Sequence, residues 1–400
     1  MARVDEGKAA PLSALRSIVV ISDRMEGWPP REGMLPFEHH AQRWAALAEA
    51  DQPWRELADA ERSAPVAVAG GYLERLPLSL IAAGAYDRAE VWHHYDAADG
   101  EAPFRRANPR LAYRAFHADT REAPIASADM RAFVEAFGAP HLLLVYGLGV
   151  DEALLELCAN SVIIYNSIDA PPLRVPAEVS RHFDLVITGE EWQSREVAYR
   201  HPDMPTLVLP VGPEFACGEQ FRPLDIEKSY DLVYVAAAQP YKRHDLLFDA
   251  IERSPRPLRA LCVFGYGELA DHYREDVARR GLDIDFVGPP GVPFEEVNRL
   301  VNHARIGVIA GYDDGAPAII TEYMLAGLPV LANAGLVCGR QYVTPRSGRC
   351  AVPADWPRVI AEMLDDLDRF DPRAEALARC HWRRSAGMLL DRIAKFTKNA

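Results

Sequence analysis

Short apolar runs rich in valine, isoleucine and leucine recur along the chain, and segments with helical periodicity separate them. A short, continuous apolar run is typical of a strand that is buried on both faces, as strands are in parallel sheets with crossover helices. This alternation limits the possible folds more than any other feature of the sequence. It predicts an α/β chain in which parallel strands alternate with helices.

The predicted strands form two series. The first series occupies the N-terminal half and contains Ser17–Ser22, Pro65–Ala69, Ala89–His93, His141–Tyr146, Val162–Tyr165, Leu185–Thr188 and Leu207–Pro210. The second contains the strands Leu232–Ala236, Ala260–Phe264, Ile284–Val287, Ile306–Ala310 and Val330–Ala332 and the helices Asp245–Arg253, Glu268–Arg280, Phe294–Ala304 and Ile319–Ala326. A polar segment without periodicity, Pro213–Tyr230, lies between the two series and is the expected linker.

The length of the chain favours the same division. Because 400 residues exceed what one core usually holds, we expect two Rossmann-like domains, residues 1–215 and 216–380, followed by a helix over 381–400. Trp382, Leu389 and Ile393 lie roughly on one face of that helix, which either stays on its own domain or crosses back to the N-terminal one. Domains of this type bind ligands outside the carboxyl ends of their strands, so a cleft between them can hold two substrates.

Composition argues against several classes of function. The net charge of −14 does not suit a nucleic-acid-binding protein, which needs a basic patch. The six cysteines have no paired spacing, so we expect free thiols in a reducing cytoplasm and no zinc site. We expect neither a signal peptide nor a membrane span, because no apolar run is long enough. The oligomeric state is left open.

An acidic loop followed by a helix of small and apolar residues, 311–330, carries the strongest functional signal. Pro317 suits the first turn of a helix, and Gly327 suits its end. The start of such a helix offers unpaired amides and the positive pole of the helix dipole, which suit a diphosphate. Glu322 falls among apolar residues, where a carboxylate needs partners such as ribose hydroxyls. The alternative is a solvated acidic loop before an ordinary amphipathic helix.

This segment resembles the signature of the glycosyltransferase family 4 group, Glu-x7-Glu followed by Gly-x-Pro-Val. The spacing is kept as Asp314-x7-Glu322, with Asp314 in place of the first glutamate. A second stretch, 237–247, is similar to the family segment whose lysine neutralises the donor diphosphate. Lys242 matches that lysine, and Ala237 stands in the place of the family arginine. The resemblance covers roughly residues 207 to 400 and implies a GT-B fold, in which two Rossmann-like domains face each other across a cleft.

The resemblance implies catalytic roles for Lys242, Asp314 and Glu322. It implies a donor-binding set that consists of Arg243, Gly265, Gly267, Gly315, Ala316, Pro317, Ala318 and Ile319. The N-terminal half matches the family less well. On the acceptor side we expect Gly33, in part of the role of the family's glycine-rich loop, Asp169, which remains from a family His-Asp pair, and the cleft residues His117 and Gly147.

The implied activity is transfer of a sugar from a UDP- or GDP-linked donor to an acceptor hydroxyl, with retention of anomeric configuration. Neither a cofactor nor a metal is expected, although adjacent Asp313 and Asp314 leave a metal site open. The acceptor is a glycan, a lipid-linked molecule or a small molecule, in polysaccharide or glycoconjugate biosynthesis. Two alternatives stand beside this one: a nucleotide-sugar epimerase of the same fold, and a degenerate GT-B protein with a binding or regulatory role.

Overall fold

The computed structural model describes residues 15–26, 57, 59–95, 104–120, 122–148 and 150–396. Within these residues the chain forms two α/β domains, each of which is built on one sheet. Gly33 lies outside the described residues.

The first domain is built on strands β1 to β8 with helices on both faces. Its strands are β1 (Ser17–Glu26), β2 (Arg88–Tyr95), β3 (Phe104–Asn108), β4 (Leu111–His117), β5 (Leu142–Tyr146), β6 (Val162–Asn166), β7 (Leu185–Thr188) and β8 (Thr206–Val208). Its helices are α1 (Asp59–Arg62), α2 (Arg75–Ala82), α3 (Ala128–Phe137), α4 (Glu152–Leu157), α5 (Ala177–Ser180), α6 (Glu191–Arg200) and α7 (Val211–Glu214). The strand order is β3-β4-β2-β1-β5-β6-β7-β8, and only β3 pairs in antiparallel orientation among the described strands.

The second domain has a six-stranded parallel sheet. Its strands are β9 (Tyr230–Val235), β10 (Ala260–Val263), β11 (Ile284–Val287), β12 (Ala304–Ile309), β13 (Val330–Asn333) and β14 (Gly348–Ala351). Its helices are α8 (His244–Glu252), α9 (Ala270–Arg280), α10 (Phe294–Asn302), α11 (Ile319–Leu325), α12 (Trp356–Asp365) and α13 (Pro372–Arg379), and α14 (Trp382–Ile393) follows them. The order β11-β10-β9-β12-β13-β14 is that of a Rossmann sheet, whose strand order reverses between β9 and β12.

The two-domain α/β prediction is confirmed. In β1 the four successive residues from Ile18 to Ile21 are fully buried, because helices cover both faces of the sheet. The second sheet likewise separates two apolar clusters. This burial explains why its strands are continuous apolar runs rather than alternating ones.

The last helix, α14, packs on the first domain. Trp382, Ala386, Leu389 and Ile393 belong to the same apolar cluster as Leu76 of α2. The segment near His381, which returns to the first domain, runs beside the segment near Ala216, which leaves it. Ala216 and His381 form a parallel bridge in which Trp382 N–H donates to the Ala216 carbonyl at 3.1 Å. Two neighbouring segments of the chain therefore connect the domains.

Three local predictions differ from the structure. Residues 65–69 form a loop and no strand, because the chain turns at Gly70-Gly71 directly after them. The hairpin of β3 and β4 was missed because β3 contains Arg105, Arg106 and Asn108 and lies at the sheet edge. The edge strand β14 was missed because Gly348 and Arg349 make up half of it, so it has no continuous apolar run. Among the described residues, no helix is long and apolar enough to span a membrane.

Candidate active site

Lys242 and Asp314 meet at the point where the strand order of the second sheet reverses. Lys242 ends a 3-10 turn shortly after β9, and Asp314 lies in the acidic loop after β12. Although 72 residues separate them, their side chains form an ion pair. The crevice at such a reversal is where open α/β sheets bind ligands. The pairing of the two sequence-predicted residues therefore marks the candidate site.

The Lys242 ammonium remains charged in this pair. Its side chain is 17% exposed and that of Asp314 is 15% exposed, so both are largely withdrawn from water. Burial opposes the charge on Lys242, but Asp314, Tyr241 and Tyr234 outweigh it and raise the pKa above its ordinary value. The ring of Tyr241 also lies under the ammonium, with the nitrogen 4.8 Å from the ring centroid. The site thus holds a permanent cation that can balance a phosphate.

Glu322 is buried and forms an ion pair with the other domain. It lies in α11, is 6% exposed, and accepts a hydrogen bond at 2.5 Å from Nη2 of Arg75 in α2. Arg75 is fully buried, and its Nε donates to the carbonyl of Gly70 at 2.8 Å. The expectation that Glu322 needs a partner is met here by a protein cation. Arg75 was missed because nothing local in the sequence links residues 75 and 322; the one available signal was the Gly70-Gly71 pair just before a helix.

The acidic loop touches the first domain at Gly315. A Cβ on Gly315 would lie 2.3 Å from the backbone carbon of Asp169, so only glycine allows this approach. Asp169 itself forms an ion pair with Arg174 at 2.8 Å. Of the predicted acceptor-side residues that the structure describes, Asp169 is the one that lies against the acidic loop.

The family comparison agrees with this geometry. Residues 218–374 match the family described as glycosyl transferases group 1. The second domain is a group 1 glycosyl transferase domain. The match covers the strands, loops and helices that carry Lys242, Asp314 and Glu322.

Individual proteins resemble this chain at lower levels. A segment of this chain is similar to the GDP-Man:Man(3)GlcNAc(2)-PP-Dol alpha-1,2-mannosyltransferase of Yarrowia lipolytica, with 30% identity over 124 residues. The alignment covers 27% of this chain and 20% of the Yarrowia protein. A sucrose-phosphate synthase from Thermosynechococcus elongatus is 16% identical with a TM-score of 0.63, over 95% of this chain and 98% of that one. Anabaena HepE in complex with UDP and glucose is 14% identical with a TM-score of 0.62, and the match covers 95% of this chain and 100% of the HepE chain. The two structural likenesses show that the fold is GT-B.

The other predicted donor residues of the glycosyl transferase domain differ in their surroundings. Arg243 has a positive φ of 51° and pairs with Asp245 at 2.8 Å, and its guanidinium carbon lies 5.4 Å from the ring centroid of Tyr312. Gly267 has a φ of 130°, and a Cβ there would lie 2.4 Å from the Ala238 carbonyl oxygen. Gly265 is exposed and has open space around it. Gly265 therefore leaves open space in which a ligand can approach the backbone.

The start of α11 forms part of the contact between the domains. Ala316 and Ala318 lie against Gly212, Pro317 lies against Gly339, and Ile319 begins the helix. Small residues here let the glycosyl transferase domain approach the end of the first domain. Gly315, Ala316 and Ala318 of the predicted set therefore lie at the interdomain surface, whereas Pro317 packs within the second domain.

His117 and Gly147 do not share a site. His117 ends β4 and Gly147 follows β5, and two strands, β2 and β1, lie between them in the sheet. Three strand spacings amount to roughly 14 Å. The carbonyl oxygens of both residues accept local hydrogen bonds, from Ser127 Oγ for His117 and from the Tyr165 hydroxyl for Gly147. Their backbone contacts stabilise the turns that follow the strands.

An aromatic cage supports the loop that carries Lys242. His244 is fully buried, and its ring lies within 6.5 Å, centroid to centroid, of the rings of Tyr234, Phe248, Phe264 and Tyr273. Neither ring nitrogen has a hydrogen-bond partner among the described residues. Burial, together with repulsion from Lys242, lowers the pKa of His244 to about 3. The imidazole is therefore neutral and acts as a packing group.

Proposed function

We propose that this chain transfers a sugar from a nucleotide-diphosphate sugar to an acceptor hydroxyl, with retention of configuration and without a metal ion. The observation that carries the proposal is the meeting of Lys242 and Asp314 at the strand-order reversal of a group 1 glycosyl transferase domain. Departure of a nucleoside diphosphate requires a cation at the leaving phosphates. Lys242 supplies that cation, and Glu322 accepts hydrogen bonds from the ribose hydroxyls.

Asp314 has a defined role in this proposal. It lies in the loop next to Lys242 and keeps the ammonium charged and oriented before the donor arrives. Because the Asp314 carboxylate is paired with Lys242, it is not left free to hold a divalent cation. Asp313 is exposed and is not assigned to the donor.

The nucleotide is UDP or GDP. HepE was solved with UDP and glucose, and the Yarrowia relative is named for a GDP-mannose donor. The acceptor class remains that expected from the sequence: a glycan, a lipid-linked molecule or a small molecule. We place the activity in the cytoplasm, where reducing conditions suit six free cysteines.

A donor assay tests the reaction. We expect release of UDP or GDP from a sugar donor in the presence of an acceptor, a product whose anomer matches the donor, and a rate that EDTA leaves unchanged. Product anomers are assigned by NMR coupling constants. An inverted product would contradict retention, and a loss of rate that magnesium or manganese restores would contradict metal independence. Isomerised donor formed without acceptor would identify an epimerase instead.

Replacement of Glu322 tests the donor placement. We expect Glu322→Ala to weaken binding of the nucleoside diphosphate about tenfold, since hydrogen bonds to a charged group contribute roughly 1.5–3 kcal/mol. Isothermal titration calorimetry measures the affinity. Glu362→Ala removes an exposed glutamate that pairs with Arg358 and is the matched control, expected to bind as the wild type does. Wild-type affinity in a folded Glu322→Ala protein would rule out the ribose contact.

A further inference from the structure

The Arg75 guanidinium is held rigidly by groups around the Gly70 turn. Its Nε donates to the Gly70 carbonyl, which also accepts a hydrogen bond from Gln220 Nε2 at 3.2 Å. The guanidinium carbon lies 5.4 Å from the ring centroid of Phe221 and 5.8 Å from that of Phe294. With its stem buried and two aromatic rings beside it, the group has little freedom to move.

Arg75 connects the two domains at Glu322. The 2.5 Å contact between Nη2 and Oε1 joins α2 to α11, and the two side chains are 1% and 8% exposed. A carboxylate has about four lone-pair positions on two oxygens, and this contact uses one of them. Glu322 thus keeps acceptor capacity for a ligand while Arg75 fixes its orientation.

The third nitrogen of Arg75 is unused. Nη1 is buried and has no acceptor among the described residues. A buried donor on a charged group without an acceptor is unfavourable, and guanidinium N–H groups match the oxygens of phosphates particularly well. A phosphate oxygen of a nucleoside diphosphate bound next to Glu322 would accept a hydrogen bond from Nη1.

We propose that Arg75 is a donor-binding residue supplied by the first domain. The inference rests on the proposed function and deepens it: Nη2 orients Glu322 for the ribose, and Nη1 donates to a phosphate oxygen of the same nucleotide. Donor binding then requires both domains to be closed on the ligand. The second domain alone has an incomplete donor site.

The test compares a nucleotide with its nucleoside in the full-length chain. Arg75→Lys keeps a cation beside Glu322 but loses the planar fork, so it cannot serve Gly70, Glu322 and a phosphate at once. We expect its affinity for UDP or GDP, whichever the wild type binds, to fall about tenfold, with little change for the matching uridine or guanosine. The ratio of nucleotide to nucleoside affinity is the readout, because general damage to the site weakens both ligands.

Arg280→Lys is the matched control. Arg280 is a largely buried arginine that pairs with Asp249 and Glu252 at the ends of helices, away from the carboxyl ends of the strands, and we expect its lysine variant to keep the wild-type ratio. If Arg75→Lys does not fold, Arg75→Gln/Glu322→Gln replaces it, since that pair buries no charge, and the same fall in the ratio is expected. An unchanged ratio, or tighter nucleotide binding, would overturn the role of Arg75. A wild-type protein that binds neither UDP nor GDP would overturn the proposed function itself.

Discussion

Lys242→Met is expected to slow sugar transfer about a hundredfold. Loss of one electrostatic contact to the developing diphosphate costs on the order of 3 kcal/mol in the transition state. Methionine keeps much of the apolar stem that packs near Tyr241, so the change removes mainly the charge. Steady-state turnover with a saturating donor measures the effect.

The same variant is expected to lose stability, since Asp314 would remain a largely buried carboxylate without its partner. Breaking a buried ion pair by removing one member costs roughly 3–5 kcal/mol. Lys242→Met/Asp314→Asn should therefore regain most of the stability in chemical denaturation, but none of the turnover. Arg358→Met is the control, because Arg358 and its partner Glu362 are exposed and neither belongs to the predicted donor site. Near-normal turnover in a folded Lys242→Met protein would remove the main support for the donor site.

Acidification is expected to destabilise the second domain through His244. The pKa of His244 is about 3 in the folded chain and ordinarily about 6.5, so the unfolded chain takes up the proton first as the pH falls. The contribution of neutral His244 to the free energy of unfolding is fully present above about pH 6.5 and is lost as the pH falls toward 3. Between pH 7 and pH 4 the loss amounts to about 3 kcal/mol.

His244→Phe isolates this contribution. Phenylalanine fills the aromatic cage and does not titrate, so the free energy of unfolding of the variant should fall less between pH 7 and pH 4 than that of the wild type. Buried His94, whose pKa burial lowers to about 4, contributes to the acid sensitivity of both proteins. His272→Phe changes an exposed histidine and should follow the wild-type curve. Parallel curves for His244→Phe and the wild type would contradict the prediction.

Local pattern was enough to predict most of the fold. Buried parallel strands are recognisable one at a time, and their βαβ order determines a Rossmann sheet with few alternatives. Two of the strands that escaped, β3 and β14, are edge strands that contain polar residues, for which burial leaves little trace in the sequence. The third, β4, lies inside the sheet but carries Arg114 within its apolar run. The 65–69 segment shows the converse, since an apolar run became a loop.

The site was predictable only where it is local in sequence. Spacing and resemblance led to Lys242, Asp314 and Glu322, but not to the partners that these residues have in the fold. Asp314 lies 72 residues from Lys242, and Arg75 lies 247 residues from Glu322, so both pairs exist only once the strands are ordered and the domains are closed. The acceptor-side residues stay predictions, because there the sequence offers turns and not a motif.

The path of the chain also restricts how such a protein can be divided or recombined. Because α14 completes the apolar cluster around Leu76, a fragment that ends near residue 374, where the family match ends, would expose one face of the first domain. An autonomous first domain would have to combine the residues before Ala216 with those of α14. Exchange of the first domain between related proteins would accordingly require two crossover points, one near Ala216 and one near His381, where the two connections lie side by side.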